Sequence, residues 1–189
     1  MEFTLHYQGP LKANGSPEDK QGIRRHFHTQ LRTFWTQEPL HLAGLPGLLS
    51  RTPEKEKGDM SVLVERGGFW WAPLVSSRLI MIFAELQITW LREGPPGALF
   101  ASGDIDNRLK TLFDALQLPP HDNAIPPGDV PGPDEDPFFV LLEDEKLVSK
   151  VEVSTDQLLT PGLDRNEVVL LVHVRCKVRG VTWGNAIFL

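Results

Sequence analysis

The sequence predicts an α+β fold, and three observations carry that reading. Both ends of the chain alternate apolar and polar residues over strand length. Two stretches repeat apolar residues at helical spacing. The strands and helices do not alternate strictly enough for a doubly wound sheet. The expected architecture is a mixed β-sheet packed against a few helices, in a single domain over 1–189. A chain of 189 residues, 41% of them hydrophobic, can bury such a core without disulfide or metal staples.

In chain order, Phe3, Leu5 and Tyr7 alternate with Glu2, Thr4 and His6 as a half-buried strand ending at Gly9-Pro10. Ser16-Pro17-Glu18-Asp19 reads as a helix start, with a serine cap, proline in the first turn and acids behind it. Ile23, Phe27, Leu31 and Phe34 then space a helix over 17–35. On the face away from that stripe stand Arg24, Arg25, His28 and Arg32, which suits either a solvated surface or a stripe that tracks phosphates. Residues 36–59 form an irregular connection. A glycine hairpin comes next, 60–65 and 69–75 about Gly67-Gly68. A central strand spans 78–91, with a bulge between Phe83 and Leu86. A second helix over 106–117 should bury Leu109, Leu112, Phe113 and Leu116. Strands at 138–142, 148–153 and 167–179 complete the set, the last pointing Val172, Val174, Cys176 and Val178 inward.

Between the second helix and the next strand, residues 118–137 hold seven prolines, two glycines and five acids. Such a stretch forbids a regular strand or helix and reads as a surface excursion without a core of its own. It either arches away from the neighbouring site or covers it. Five tryptophans, among them Trp70, Trp71, Trp90 and Trp183 beside strand ends, suit a core or a self-association surface.

Several classes are disfavoured. The single cysteine, Cys176, leaves no internal disulfide framework and fits a reducing compartment. Without a long apolar run or a basic leader pattern at the N-terminus, the expectation is a cytoplasmic protein. The net charge of −6 is concentrated: residues 104–145 carry eleven acids against Arg108 and Lys110. Local acidity of that kind marks a solvated loop or a cation site.

Chemistry is concentrated in Asp104-Ile105-Asp106-Asn107-Arg108-Leu109-Lys110 and its continuation to Asp114-Ala115-Leu116. Asp104 and Asp106 lie two apart where a loop enters a helix, and Asp106, Lys110 and Asp114 line up on one helical face. Paired carboxylates without histidine or cysteine suit a hard cation such as Mg²⁺ or Mn²⁺. An N-capping aspartate with i,i+4 pairing through Lys110 also fits, though it gives no part to Asp104 or Asn107. A second acidic group, Glu143-Asp144-Glu145, comes directly after an apolar strand. It suits either a polar turn or a metal site built at a sheet end.

These two blocks resemble the RusA-type Holliday junction resolvase family. The order D-x-D-N-x-x-K-x-x-x-D-A-L appears at 104–116, and an apolar strand ending in paired acids appears at Leu142-Glu143-Asp144. Gly9-Pro10-Leu11 and the run from Ile23 to His28 look like a bacterial branch of RusA-like proteins. The resemblance implies a RusA-like fold and a Mg²⁺-dependent endonuclease, active as a homodimer on branched DNA in recombination or repair. It implies that Asp104, Asp106 and Asp144 bind the metal, that Glu143 stands beside them, and that Lys110 is the catalytic lysine. Phosphate contacts would then come from Arg24, Arg25 and Arg32 together with Lys110. A non-catalytic binding or scaffold protein of the same fold is the alternative. If the resemblance holds, the three aspartates converge in space.

Overall fold

The computed structural model of this chain describes residues 1–37, 40, 47–51, 61–77, 82–95, 105–159, 164, 166–178 and 180. Among them are seven strands and two α-helices: β1 (Glu2–Pro10), α1 (Pro17–Trp35), β2 (Val64–Arg66), β3 (Phe69–Val75), β4 (Ile82–Arg92), α2 (Ile105–Leu116), β5 (Phe138–Leu142), β6 (Val148–Gln157) and β7 (Glu167–Val178). The α+β expectation is met. Most of the connection at 36–59, the start of the segment at 78–91, Trp183 and Asp104 lie outside the described residues.

Four strands form one sheet in the order β1-β7-β4-β6, and three form a second in the order β2-β3-β5. Both sheets are mixed, because β4 pairs with β6 and β3 with β5 in parallel while their other neighbours run antiparallel. The bulge expected in β4 appears as a register shift between Ala84 and Glu85, on the β6 side of the strand. It does not interrupt the alternation: Ile82, Ala84, Leu86, Ile88 and Trp90 all face the core. On β7 the inward set is Val168, Leu170, Val172, Val174 and Cys176, and Val178 is only half-buried at the strand end.

Helix α1 starts where its capping residues dictate. The Ser16 side chain accepts from the Asp19 amide while the Asp19 carboxylate accepts from the Ser16 amide, so two orphan donors of the first turn are satisfied reciprocally. Its stripe of Ile23, Phe27, Leu31 and Trp35 is buried against the main core. The helix also closes the outer edge of β1, since the Gln30 amide both donates to the His6 carbonyl and accepts from the His6 N–H.

The β2–β3 turn needs two left-handed residues in succession, and Gly67 (φ 56°) and Gly68 (φ 79°) supply them. A Cβ on Gly67 would stand 2.4 Å from the Ile125 side chain. That approach belongs to the Pro-rich segment, which does contribute a core. Leu118 and Ile125 are buried with Phe69, Trp71, Phe138 and Val140 on the second face of the small sheet. Two apolar side chains at the right places are enough to seat the segment although its prolines forbid regular structure. The sheet is thereby covered on both faces, which is why all five residues of β5 are buried. Trp71 and Trp90 are core, fully enclosed.

The acidic half of the segment lies across α1, and it overturns the expectation of a free basic stripe. Arg24 and His28 do not face solvent. Arg24, 1% exposed, donates to the Asp114 carbonyl at 2.6 Å and the Gln117 carbonyl at 3.3 Å, where α2 ends. A cation at those carbonyls meets the negative end of the helix. Burial pushes its guanidinium down to about 10. His28 accepts from the Phe139 amide at Nδ1 and donates from Nε2 to the Asp134 carbonyl. The bond accepted at Nδ1 requires the neutral ring, and burial holds its pKa below the ordinary 6.5. Arg25 is paired with Asp129 at 2.7 Å and Glu135 at 2.8 Å, and Arg32 with Asp134 at 2.9 Å. Arg51 meets Asp136 in the same way. An i,i+3,i+4 count could not show that the chain supplies its own acids to this stripe.

A candidate acidic cleft at the ends of the parallel pair

Strands β3 and β5 run parallel and end side by side, at Val75 and Leu142. The residues immediately beyond them, Ser76-Ser77 and Glu143-Asp144, therefore lie at the carboxyl ends of two adjacent strands, where open α/β sheets characteristically place ligands. The C-terminal end of α2 closes the third side. The Leu118 amide donates to the Leu142 carbonyl, and the Gln117 side chain accepts from the Glu145 amide. Together these elements form a cleft of about 590 Å³, whose lining includes Arg66, Ser77, Lys110, Asp114, Glu143, Asp144, Glu145 and Lys146.

Helix α2 begins at Ile105, so Asp106 sits inside its first turn instead of capping it. A carboxylate there complements the helix dipole. The buried side of α2 is rotated from the expected stripe. Leu112 and Leu116 are buried as predicted and Leu109 and Phe113 only half-buried, while Arg108 and Thr111 are enclosed. The reason is polar docking onto the β1–α1 connection. Thr111 accepts from the Gly15 amide, and Arg108 donates to the Leu11 carbonyl and to Asn166. Asp106 and Lys110 are consequently left on the exposed side.

Lys110 forms the centre of the cleft's charge. Its ammonium lies 2.9 Å from Glu145 and 3.1 Å from Asp114, which also pairs with Lys20 at 2.9 Å. The Glu145 hydrogen bond is the main reason the lysine is held above its ordinary pKa, so it stays charged. Burial pushes the Asp114 carboxyl up, but hydrogen bonds from Lys20 and Lys110 outweigh it, and the group titrates below its usual value. Glu143 presents one oxygen, Oε2, to three donors: Ser76 Oγ at 2.7 Å, Ser77 N at 2.7 Å and Ser77 Oγ at 2.9 Å. Asp144 caps a short 3-10 turn through the Lys146 amide and keeps its side chain 46% exposed.

Of the residues singled out in the sequence, Lys110, Glu143 and Asp144 share this cleft, and Asp106 stands one helical turn before Lys110. Asp104 is outside the described residues, so the convergence of three aspartates is not decided. Arg24, Arg25 and Arg32 lie on α1, committed to the contacts above. Sequence reasoning gave no role to Ser76 or Ser77 and placed Glu145 only within the second acidic group, not beside Lys110. The i,i+4,i+8 face pointed to Asp114, but only the fold brings Glu145 to Lys110.

Carboxylate chemistry at Asp106 and Asp144 suits Mg²⁺ or Mn²⁺. Among the described residues, however, no group of three or more acid, histidine or cysteine side chains is arranged to hold a metal ion. No helix among the described residues is long and apolar enough to cross a membrane. The fold and site thus define an α+β domain with an acidic, lysine-centred cleft at the ends of a parallel strand pair. Comparison with protein families, with curated proteins and with solved structures finds no match.

Proposed function

We propose that this chain is a divalent-metal-dependent endonuclease of the RusA type, hydrolysing phosphodiester bonds in branched DNA as a homodimer. One observation carries the reading: Lys110 from α2 and Glu143-Asp144 from the end of β5, two separate blocks of the sequence resemblance, line a single cleft. In this reading Asp104, Asp106 and Asp144 hold Mg²⁺ or Mn²⁺. The ion would supply an activated water and offset charge on the phosphate. Lys110, kept protonated by Glu145 and Asp114, stabilises negative charge developing on the phosphoryl oxygens. Glu143, its Oε2 saturated by Ser76 and Ser77, holds the strand end and so positions Asp144. A two-fold assembly provides the two equivalent sites that symmetric nicking requires.

A second reading, a non-catalytic binding or scaffold protein of the same fold, is favoured by the occupied state of α1. Its arginines are spent on the chain's own acids instead of facing an open phosphate track. Incubating the purified chain with four-way junction, flap and linear duplex DNA, in Mg²⁺, Mn²⁺ or EDTA, separates the two. The nuclease reading expects junction nicking that requires the ion and falls by about 10²–10³-fold in Asp144→Asn and Lys110→Ala. Binding of DNA without cleavage under any ion would favour the scaffold.

A further inference from the structure

The four-stranded sheet has two outer edges, and the protein treats them differently. The β1 edge is blocked by the Gln30 side chain. The β6 edge, among the described residues, has a strand on one side only, and β6 is largely exposed along its ten residues. An edge of that length is a template for another strand. At its centre Val151 is 44% exposed, although its register partner on β4, Leu86, is buried. The inner, apolar face of the sheet therefore runs out to β6, where Val148 and Val153 pack against the core and Val151 stays exposed. On the outer face, Lys150 and Glu152 flank Val151 and lie 3.1 Å apart, with side chains 59% and 53% exposed.

From this pattern we infer that β6 is a self-pairing edge whose occupant is a second copy of the same strand, running antiparallel about a two-fold axis through Val151. Among registers centred on 150, 151 or 152, the charges select one. A two-fold axis normal to a continuous sheet keeps each face on its own side, so paired residues must share parity. Centring on Lys150 or on Glu152 sets like charges against each other on the axis. Centring on Val151 sets Lys150 opposite Glu152 of the partner subunit, and Glu152 opposite the partner's Lys150. The four charges then alternate around a square, each flanked by opposite charges along its own strand and across the interface. The two exposed valines meet on the apolar face, and the joined sheets become one of eight strands. Such an interface is isologous and closed, so it stops at two copies.

This inference deepens the homodimer of the proposed function by naming its interface, and its test reads mass instead of cleavage, so the two fail separately. Light scattering across the micromolar range should give twice the 21.2 kDa of one chain. Lys150→Glu and Glu152→Lys each place like charges across the interface, and each should weaken dimerisation at least tenfold. The double variant Lys150→Glu/Glu152→Lys restores the alternation and should restore the dimer. Val151→Asp puts two carboxylates on the axis and should give monomer. In the unaltered chain, amide exchange at 149–153 should slow as concentration rises, a readout that depends on no variant. A monomer throughout that range overturns the inference. So does a dimer indifferent to both single changes, or a double variant no better than either single one.

Discussion

Helices α1 and α2 both carry cations beside acids, yet they use them in opposite ways. On α1, Arg24 is buried at the end of α2, and Arg25 and Arg32 are paired with acids of the Pro-rich segment while their side chains stay 38% and 47% exposed. On α2, Lys110 keeps its side chain 56% exposed and points, with its two acids, into an open cleft. The first arrangement spends charge on joining elements of the fold. The second holds one charge in place without covering it. The difference teaches that counting cations on a helix face does not reveal which are available to a ligand. Burial and the nearest acids decide that.

The comparison predicts a graded series. Arg24→Ala removes a buried side chain that joins α1 to α2, leaving a cavity and two carbonyls without their donor, and should cost about 3–5 kcal/mol in a denaturant titration. Replacement by methionine should cost less, because its side chain fills part of the space that alanine leaves empty, while the two carbonyls lose their donor in either variant. Arg25→Ala should cost about 1–2 kcal/mol, after discounting for the partial exposure of the side chain. It should also raise proteolytic cleavage within 129–136 and leave the cleft unaltered; unchanged cleavage there would mean that the ion pairs do not hold the segment.

Acid should loosen the same region in two stages. Burial holds the neutral form of His28 below its ordinary 6.5, partly offset by its bond to the Asp134 carbonyl. Burial pushes the Glu135 carboxyl up, but the Arg25 hydrogen bond outweighs it and keeps the group below 4.5. Both pKa values are depressed in the folded chain. Their stabilisation is therefore complete above those ordinary values and lost as pH falls through the folded ones. Amide exchange at 129–136 should rise first below about 6.5, from His28, and again below about 4.5, from Glu135. His28→Gln should abolish the first step. The smallest effect belongs to Lys110→Ala, which should change stability by about 0.5 kcal/mol or less, because its ion pairs are exposed. A large loss there would make Lys110 a structural residue like Arg25.

Where local pattern determines structure, the sequence was a good guide. Helix α1 occupies 17–35 because Ser16 and Asp19 cap it, and β5 occupies 138–142 because an uninterrupted apolar run suits a strand covered on both faces. The Gly67-Gly68 turn is equally local. Lys110, Glu143 and Asp144 were legible as a group only through the family resemblance, and the fold brings them to one cleft. What could not be read depends on partners distant in the chain. Arg24 belongs to a basic stripe by periodicity and is buried by the end of α2, 90 positions on. Ile125 looks like a loop residue until Gly67 and Trp71 are beside it.

The parallel pairing of β3 with β5 also bears on the order of events when the chain folds. Ser76 and Glu143 are separated by 67 positions, with β4 and α2 between them. Bringing such ends together carries the entropy of closing a long loop before any contact offsets it, whereas the β2–β3 hairpin closes over two residues. The small sheet should therefore begin as a fast hairpin and gain its third strand late, an order that stopped-flow kinetics can check. Glu143 and Asp144 enter the cleft only with that last strand, so a kinetic trace monitoring Trp71 packing against Phe138 would time the birth of the site.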